Sequence, residues 1–168
     1  MVSLEISQEP KTRSWFWVLV IYMANLEKLF KDNGDGTIEQ VDEDLIWSKK
    51  DSRQELGKWL NWDEANAYRD ACNDQKYLGV TDWRLPTKSE LRGLLKEKEA
   101  YEELFMNLPA KKKRSVSNYQ AGGEWSYWTS ETRYDSYAWK CYFPVIKEVC
   151  VDQQVSTTGT SVRLVRDA

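Results

Sequence analysis

The sequence predicts an α+β domain, and three observations carry that prediction: a strand-to-helix junction at residues 82–91, one-sided helical spacing before it, and short aromatic strands after it. Helices early and strands late argue for helices packed on a mostly antiparallel sheet, not for alternating βα units. A chain of 168 residues fits one domain and is long enough to bury a core without metal or disulfide staples.

Residues 1–29 read as an N-terminal extension and residues 30–168 as the domain. The apolar aromatic run at residues 15–24 is too short to span a bilayer. Glu5 and Glu9 precede it and no small-x-small cleavage site follows, so it is expected to be a strand or an oligomerisation segment and not a signal peptide. Asp32, Asn33, Gly34, Asp35 and Gly36 tolerate positive φ and predict a tight turn before a strand at residues 37–41. A second short strand includes Leu45, Ile46 and Trp47. Asn33, Asp35 and Gly36 also fall at positions 3, 5 and 6 of an EF-hand-type loop. Lys31 would then hold the first ligand position, and Asp42 the last, where a bidentate Glu is usual; a structural turn is the better reading.

A helix is expected over residues 59–75, capped by Asn61, with Trp62, Ala65, Tyr68 and Cys72 on one face. At the junction, Pro86 disfavours helical torsions at Leu85, while Thr87 and Glu90 form a capping box for the next helix. That helix covers residues 88–95 and continues or restarts through 101–105; Leu91, Leu94 and Leu95 make an apolar stripe that Trp83 is placed to meet. Lys111, Lys112, Lys113 and Arg114 open a polar loop that reaches Gly122 and Gly123 and reads as solvated. Strands follow at residues 126–130, 137–143, 145–151 and 161–165. Alternation within 138–143 puts Trp139, Cys141 and Phe143 toward the core and Lys140 and Tyr142 toward solvent.

Composition removes whole classes of function. The chain has no histidine, so Ser-His triads, His-ligated zinc and the two-His iron site are impossible. Cys72, Cys141 and Cys150 are too few and too scattered for a disulfide framework or a four-cysteine zinc site, and free thiols are expected. With 24 basic against 27 acidic residues, nothing suggests a nucleic-acid partner. No cofactor and no metal is expected. Nine Trp and nine Tyr exceed what a core needs and favour an interface role.

Several blocks together resemble one family. Residues 30–37, then Leu45, Ile46 and Trp47, residues 62–68 and 79–91, Tyr127 through Ser130, Ala138 with Trp139, and residues 162–166 occur in the order of domain of unknown function 1566. That is the C-terminal domain of Legionella collagen-like adhesin and of many bacterial surface proteins. The resemblance implies a C-type-lectin-like fold, shared with formylglycine-generating enzymes and with variable proteins of diversity-generating retroelements. It further implies two helices flanking the sheet, pairing of the first and last strands, and ligand binding on the C-terminal strands and loops. Leu164 stands where family members often have a cysteine, which leaves Cys72 without the partner the resemblance implies.

The functional expectation is a non-enzymatic ligand-binding module on a virion or cell surface. Related oxidases work with a cysteine pair close in sequence, and Cys141 and Cys150 do not match that spacing; an oxidase of this kind is the weakest alternative. Residues 127–142 have paratope-like composition, in which Tyr and Trp give contact area at low entropy cost and Ser, Asp and Arg give adaptable hydrogen bonds. Tyr134, Asp135, Tyr137, Lys140 and Tyr142 are the expected ligand contacts. Two binding readings compete: a retroelement variable protein, whose adenine-directed changes convert Asn codons to Tyr, Asp, Ser, Cys and others, and an adhesin-type glycan-binding domain. The partner is expected to be a protein or glycan on a cell surface, with a homo-oligomer possible and no membrane span.

Overall fold

The computed structural model describes residues 29–96, 104–105, 126–143, 147–155 and 159–168. Expectations for residues 15–24, 101–103 and 111–114 lie outside these.

The α+β class holds, with two four-stranded sheets among the described residues where one was expected. The first sheet is an antiparallel meander of β1 (Phe30–Asp32), β2 (Thr37–Gln40) and β3 (Leu45–Ser48), closed by β8 (Val165–Asp167) in the order β1-β2-β3-β8. The last strand therefore pairs with β3 and not with the first, because the meander leaves β3 as the strand that β8 can reach. The second sheet runs β6 (Lys147–Asp152), β5 (Tyr137–Tyr142), β4 (Ser126–Arg133) and β7 (Thr160–Ser161), with β7 parallel to β4. The single strand expected at residues 161–165 is thus two short strands, one in each sheet, joined by residues 162–164.

The acidic turn between β1 and β2 is structural. Asp35 Oδ1 accepts from the Thr37 backbone N–H at 2.9 Å and from its hydroxyl at 2.6 Å, which holds the carboxyl below its usual range. Asp32 accepts from the Gly34 N–H and from Lys49.

Among the described residues there are three α-helices, α1 (Ser52–Leu56), α2 (Trp62–Asp74) and α3 (Lys88–Lys96). Asn61 and Glu64 cap α2 reciprocally, as Asp51 and Gln54 cap α1. Helix α1, at five residues, is too short to show a periodicity in sequence. The capping box at the start of α3 is formed: Thr87 N–H donates to Glu90 at 2.7 Å and Glu90 N–H to the Thr87 hydroxyl at 3.2 Å.

The stripe on α3 is buried, though not against Trp83. Leu91, Leu94 and Leu95 pack with Phe30, Trp47, Tyr127, Cys141 and Phe143, whereas Trp83 joins Leu60, Ala65, Cys72, Leu85, Trp128, Ala138, Val162 and Leu164. The second sheet is covered on both faces, so each face of β4 and β5 feeds a different core. Leu164 and Cys72 share the second of these cores, and all three cysteines are free thiols. Cys141 and Cys150 do not face one another, since Cys141 lies opposite Glu148 and Cys150 opposite Trp139. Burial pushes the Cys141 thiol up to about 11.

The junction block is pinned to the C-terminus. Arg84 and Val165 exchange two backbone hydrogen bonds, of 2.9 and 3.0 Å, and the Arg84 guanidinium bridges Glu90 and Asp167. Arg166 adds a bond to Asp82. Burial raises the Glu90 pKa, but hydrogen bonds from Arg84 and from the Thr87 N–H outweigh it and the net shift is downward. A carboxyl whose folded pKa is depressed stabilises above its unfolded value and loses that contribution as pH falls through the folded one. Below about pH 4, Glu90→Gln is therefore expected to lose less stability than the parent, so that their melting temperatures, well separated at pH 6, converge toward pH 2.5.

Candidate ligand-binding site

The candidate site is the β4–β5 hairpin, built from its base outward. From Trp128↔Lys140 to Thr132↔Ala138 the register shifts, so that Thr129, Ser130 and Glu131 oppose Trp139 alone. This bulge is anchored at each residue. The Thr129 carbonyl accepts from the Trp62 indole at 2.9 Å and the Thr129 hydroxyl donates to the Trp139 carbonyl at 3.0 Å. Ser130 N–H donates to the Pro86 carbonyl at 2.8 Å, and the Glu131 carboxylate accepts from the Lys88 N–H, at the start of α3, at 2.7 Å. The junction block thus holds the base of the hairpin from one side and the start of α2 from the other.

Above the bulge the strands meet again at Arg133↔Tyr137, and residues 134–136 form the tip. Tyr134 adopts φ +57°, in the left-handed region, and is 76% exposed. The Arg133 guanidinium lies 5.4 Å from its ring centroid. Tyr137 is 45% exposed, Asp135 is also exposed, and the Ser136 carbonyl accepts from Gln153 N–H at 2.9 Å. Trp139, on the same face as Tyr137, is half-buried with the Lys88 ammonium 4.2 Å from its ring centroid. Register places Asp152 beside Tyr137 and Cys150 beside Trp139.

Of the five expected contacts, the fold brings together Tyr134, Asp135 and Tyr137. Tyr142 is exposed but sits at the far end of β5, five residues from Tyr137 or roughly 17 Å, and on the opposite face. Lys140 is not on a solvent face: it is 7% exposed, opposite Trp128, beneath the core that α2 covers. Alternation separates two faces but says nothing of water where both are packed. Trp139 was expected in the core and instead flanks the site. Arg133 and Lys88 are further residues at the site; their ring contacts arise from the bulge and from the start of α3, which no local pattern announces.

Among the described residues no group of His, Cys, Asp and Glu can hold a metal ion, and no helix is long and apolar enough to cross a membrane. No curated protein matches the chain. The family model of the Lcl C-terminal domain matches residues 36–166, which takes in the junction block, the bulge and the hairpin. With most of its 168 residues inside that match, the chain belongs to the Lcl C-terminal domain family, an adhesin-related group.

Proposed function

We propose that the domain is a non-enzymatic binding module, of C-type-lectin-like architecture, that presents Tyr134, Asp135 and Tyr137 to a protein or glycan ligand on a cell surface. The observation that supports it most is the backbone of Tyr134. A left-handed conformation costs a residue with a side chain about 1–2 kcal/mol, and Gly or Asn adopts it more readily. Yet position 134 carries a large aromatic ring that is 76% exposed and belongs to neither core. Such a residue costs the fold stability and offers contact area at low entropy cost. The bulge below it is held at Thr129, Ser130 and Glu131, which fixes the base from which the tip projects.

Diversification by a retroelement fits the same position. Asn is the side chain best suited to this φ after Gly, and a Tyr codon differs from an Asn codon by one adenine. A reverse-transcriptase gene nearby, with an imperfect repeat of the segment coding for residues 125–166, is the expected genomic signature; without the repeat this part of the reading falls.

Tyr134→Asn is the direct test of the site. Unfolding midpoints should stay the same or rise, whereas affinity for the cognate ligand should drop about thirtyfold, as for a tyrosine hot spot of about 2 kcal/mol. Unchanged affinity in a folded Tyr134→Asn protein would remove the hairpin tip from the binding surface.

A further inference from the structure

Lys140 is a buried cation with no counter-charge among the described residues. Its ammonium donates to Thr160 Oγ1 at 3.2 Å. The Ser126 hydroxyl donates to the Gly159 carbonyl at 3.0 Å and lies 2.7 Å from the Thr160 hydroxyl. Lys140, Thr160, Ser126 and Gly159 thus form one run of polar contacts. It leaves two of the three ammonium N–H groups without an acceptor among the described residues. No ion pair there includes Lys140, the nearest ring is Trp128 at 6.0 Å, and burial draws the Lys140 pKa down without a charged neighbour to oppose it. Buried charges are ordinarily paired, because desolvation costs several kcal/mol for an isolated ion.

The surroundings favour an anion. Tyr142, two residues along β5, shares the face of Lys140 and is 37% exposed; Lys147 lies directly opposite Tyr142 in β6 and is exposed. Two lysines, a tyrosine hydroxyl and the Ser126–Thr160 pair thus occupy one face at one end of the sheet, and Val149 is the residue opposite Lys140. This is the end of β5 away from the hairpin tip, and the face opposite Tyr137.

We propose that Lys140, with Tyr142 and Lys147, forms an anion subsite that takes a carboxylate, separate from the hairpin tip. The carboxylate accepts the two remaining Lys140 N–H groups in charge-assisted bonds and is reached along the face that Tyr142 shares with it.

The test compares the full chain with Lys140→Met, melting each in sodium acetate and in sodium chloride at equal ionic strength. In the parent, acetate should raise Tm saturably over chloride, by roughly 3 °C at tenfold excess over Kd, and Lys140→Met should show no such rise. Tyr134→Asn should respond like the parent, which separates this site from the hairpin. An equal acetate effect in Lys140→Met, or none in the parent, overturns the proposal. A sodium sulfate arm that saturates where acetate does not overturns the choice of carboxylate. Should Lys140→Met fail to fold, the nitrogen resonance of the Lys140 ammonium in the parent decides: it should shift with acetate and not with chloride, and an unmoved resonance refutes the site.

Discussion

Replacing Asp51 with Ala is expected to cost the fold about 3–5 kcal/mol, the largest loss of any single polar change among the described residues. Asp51 and Arg163 are both fully buried, with the guanidinium 3.4 Å from Asp51 Oδ2. The same oxygen accepts from the Tyr127 hydroxyl at 2.8 Å, and Asp51 also caps α1. Arg163 further donates to the Ser48 and Lys49 carbonyls at 2.8 and 2.5 Å and stacks 4.7 Å from the Phe105 ring. The cluster ties the end of β3 in one sheet to β4 in the other, so its loss should loosen both. Truncation leaves a buried guanidinium facing lost acceptors, which costs more than the pair contributes. Arg163→Met should be similarly damaging alone, and the double variant Asp51→Ala/Arg163→Met should lose much less than the sum of the two. Denaturant unfolding of the four proteins measures this; a loss under about 1 kcal/mol for Asp51→Ala would mean that the cluster does not hold the sheets together.

Trp83→Ala is expected to cost about 3–5 kcal/mol, as for a large aromatic removed from a packed core. Trp83 is 2% exposed, donates its indole N–H to the Tyr77 carbonyl at 2.8 Å, and has its backbone held by both ends of the Asn73 amide. Trp139 offers the contrast. Half-buried beneath Lys88 and outside both cores, it should cost on the order of 1–2 kcal/mol when changed to Ala, because less area leaves the protein interior. Equal losses at the two positions would contradict the assignment of Trp83 to scaffold and Trp139 to the rim of the site.

Much of the scaffold is legible in the residues themselves. Asn61 announces α2 and Thr87 with Glu90 announces α3, since capping chemistry is local and needs no tertiary partner. Strands β2 through β6 follow from turn residues and β-branched or aromatic runs, with boundaries displaced by a few residues. What local patterns do not carry is the partner across space. Trp83 and the leucines of α3 lie eight or more residues apart in sequence and pack into different cores, because the second sheet separates them. The same two-sided burial places Lys140 inside despite its polar position in the alternation. Arg163 carries no local sign of burial in sequence and is the fully buried centre of a polar cluster. At the candidate site, Tyr134, Asp135 and Tyr137 are legible because a hairpin keeps its tip residues together whatever surrounds it. The bulge that aims them is not, since it depends on Pro86, Trp62 and Lys88 from two other segments.

The junction block serves as scaffold, and the hairpin tip is the proposed binding surface. A combined glycan and protein array, probed with the parent and with Tyr134→Asn/Tyr137→Ser at matched unfolding midpoints, tests it most directly. The parent should give specific signals that fall about tenfold or more in the double variant. Signals that persist undiminished on the folded double variant would contradict it.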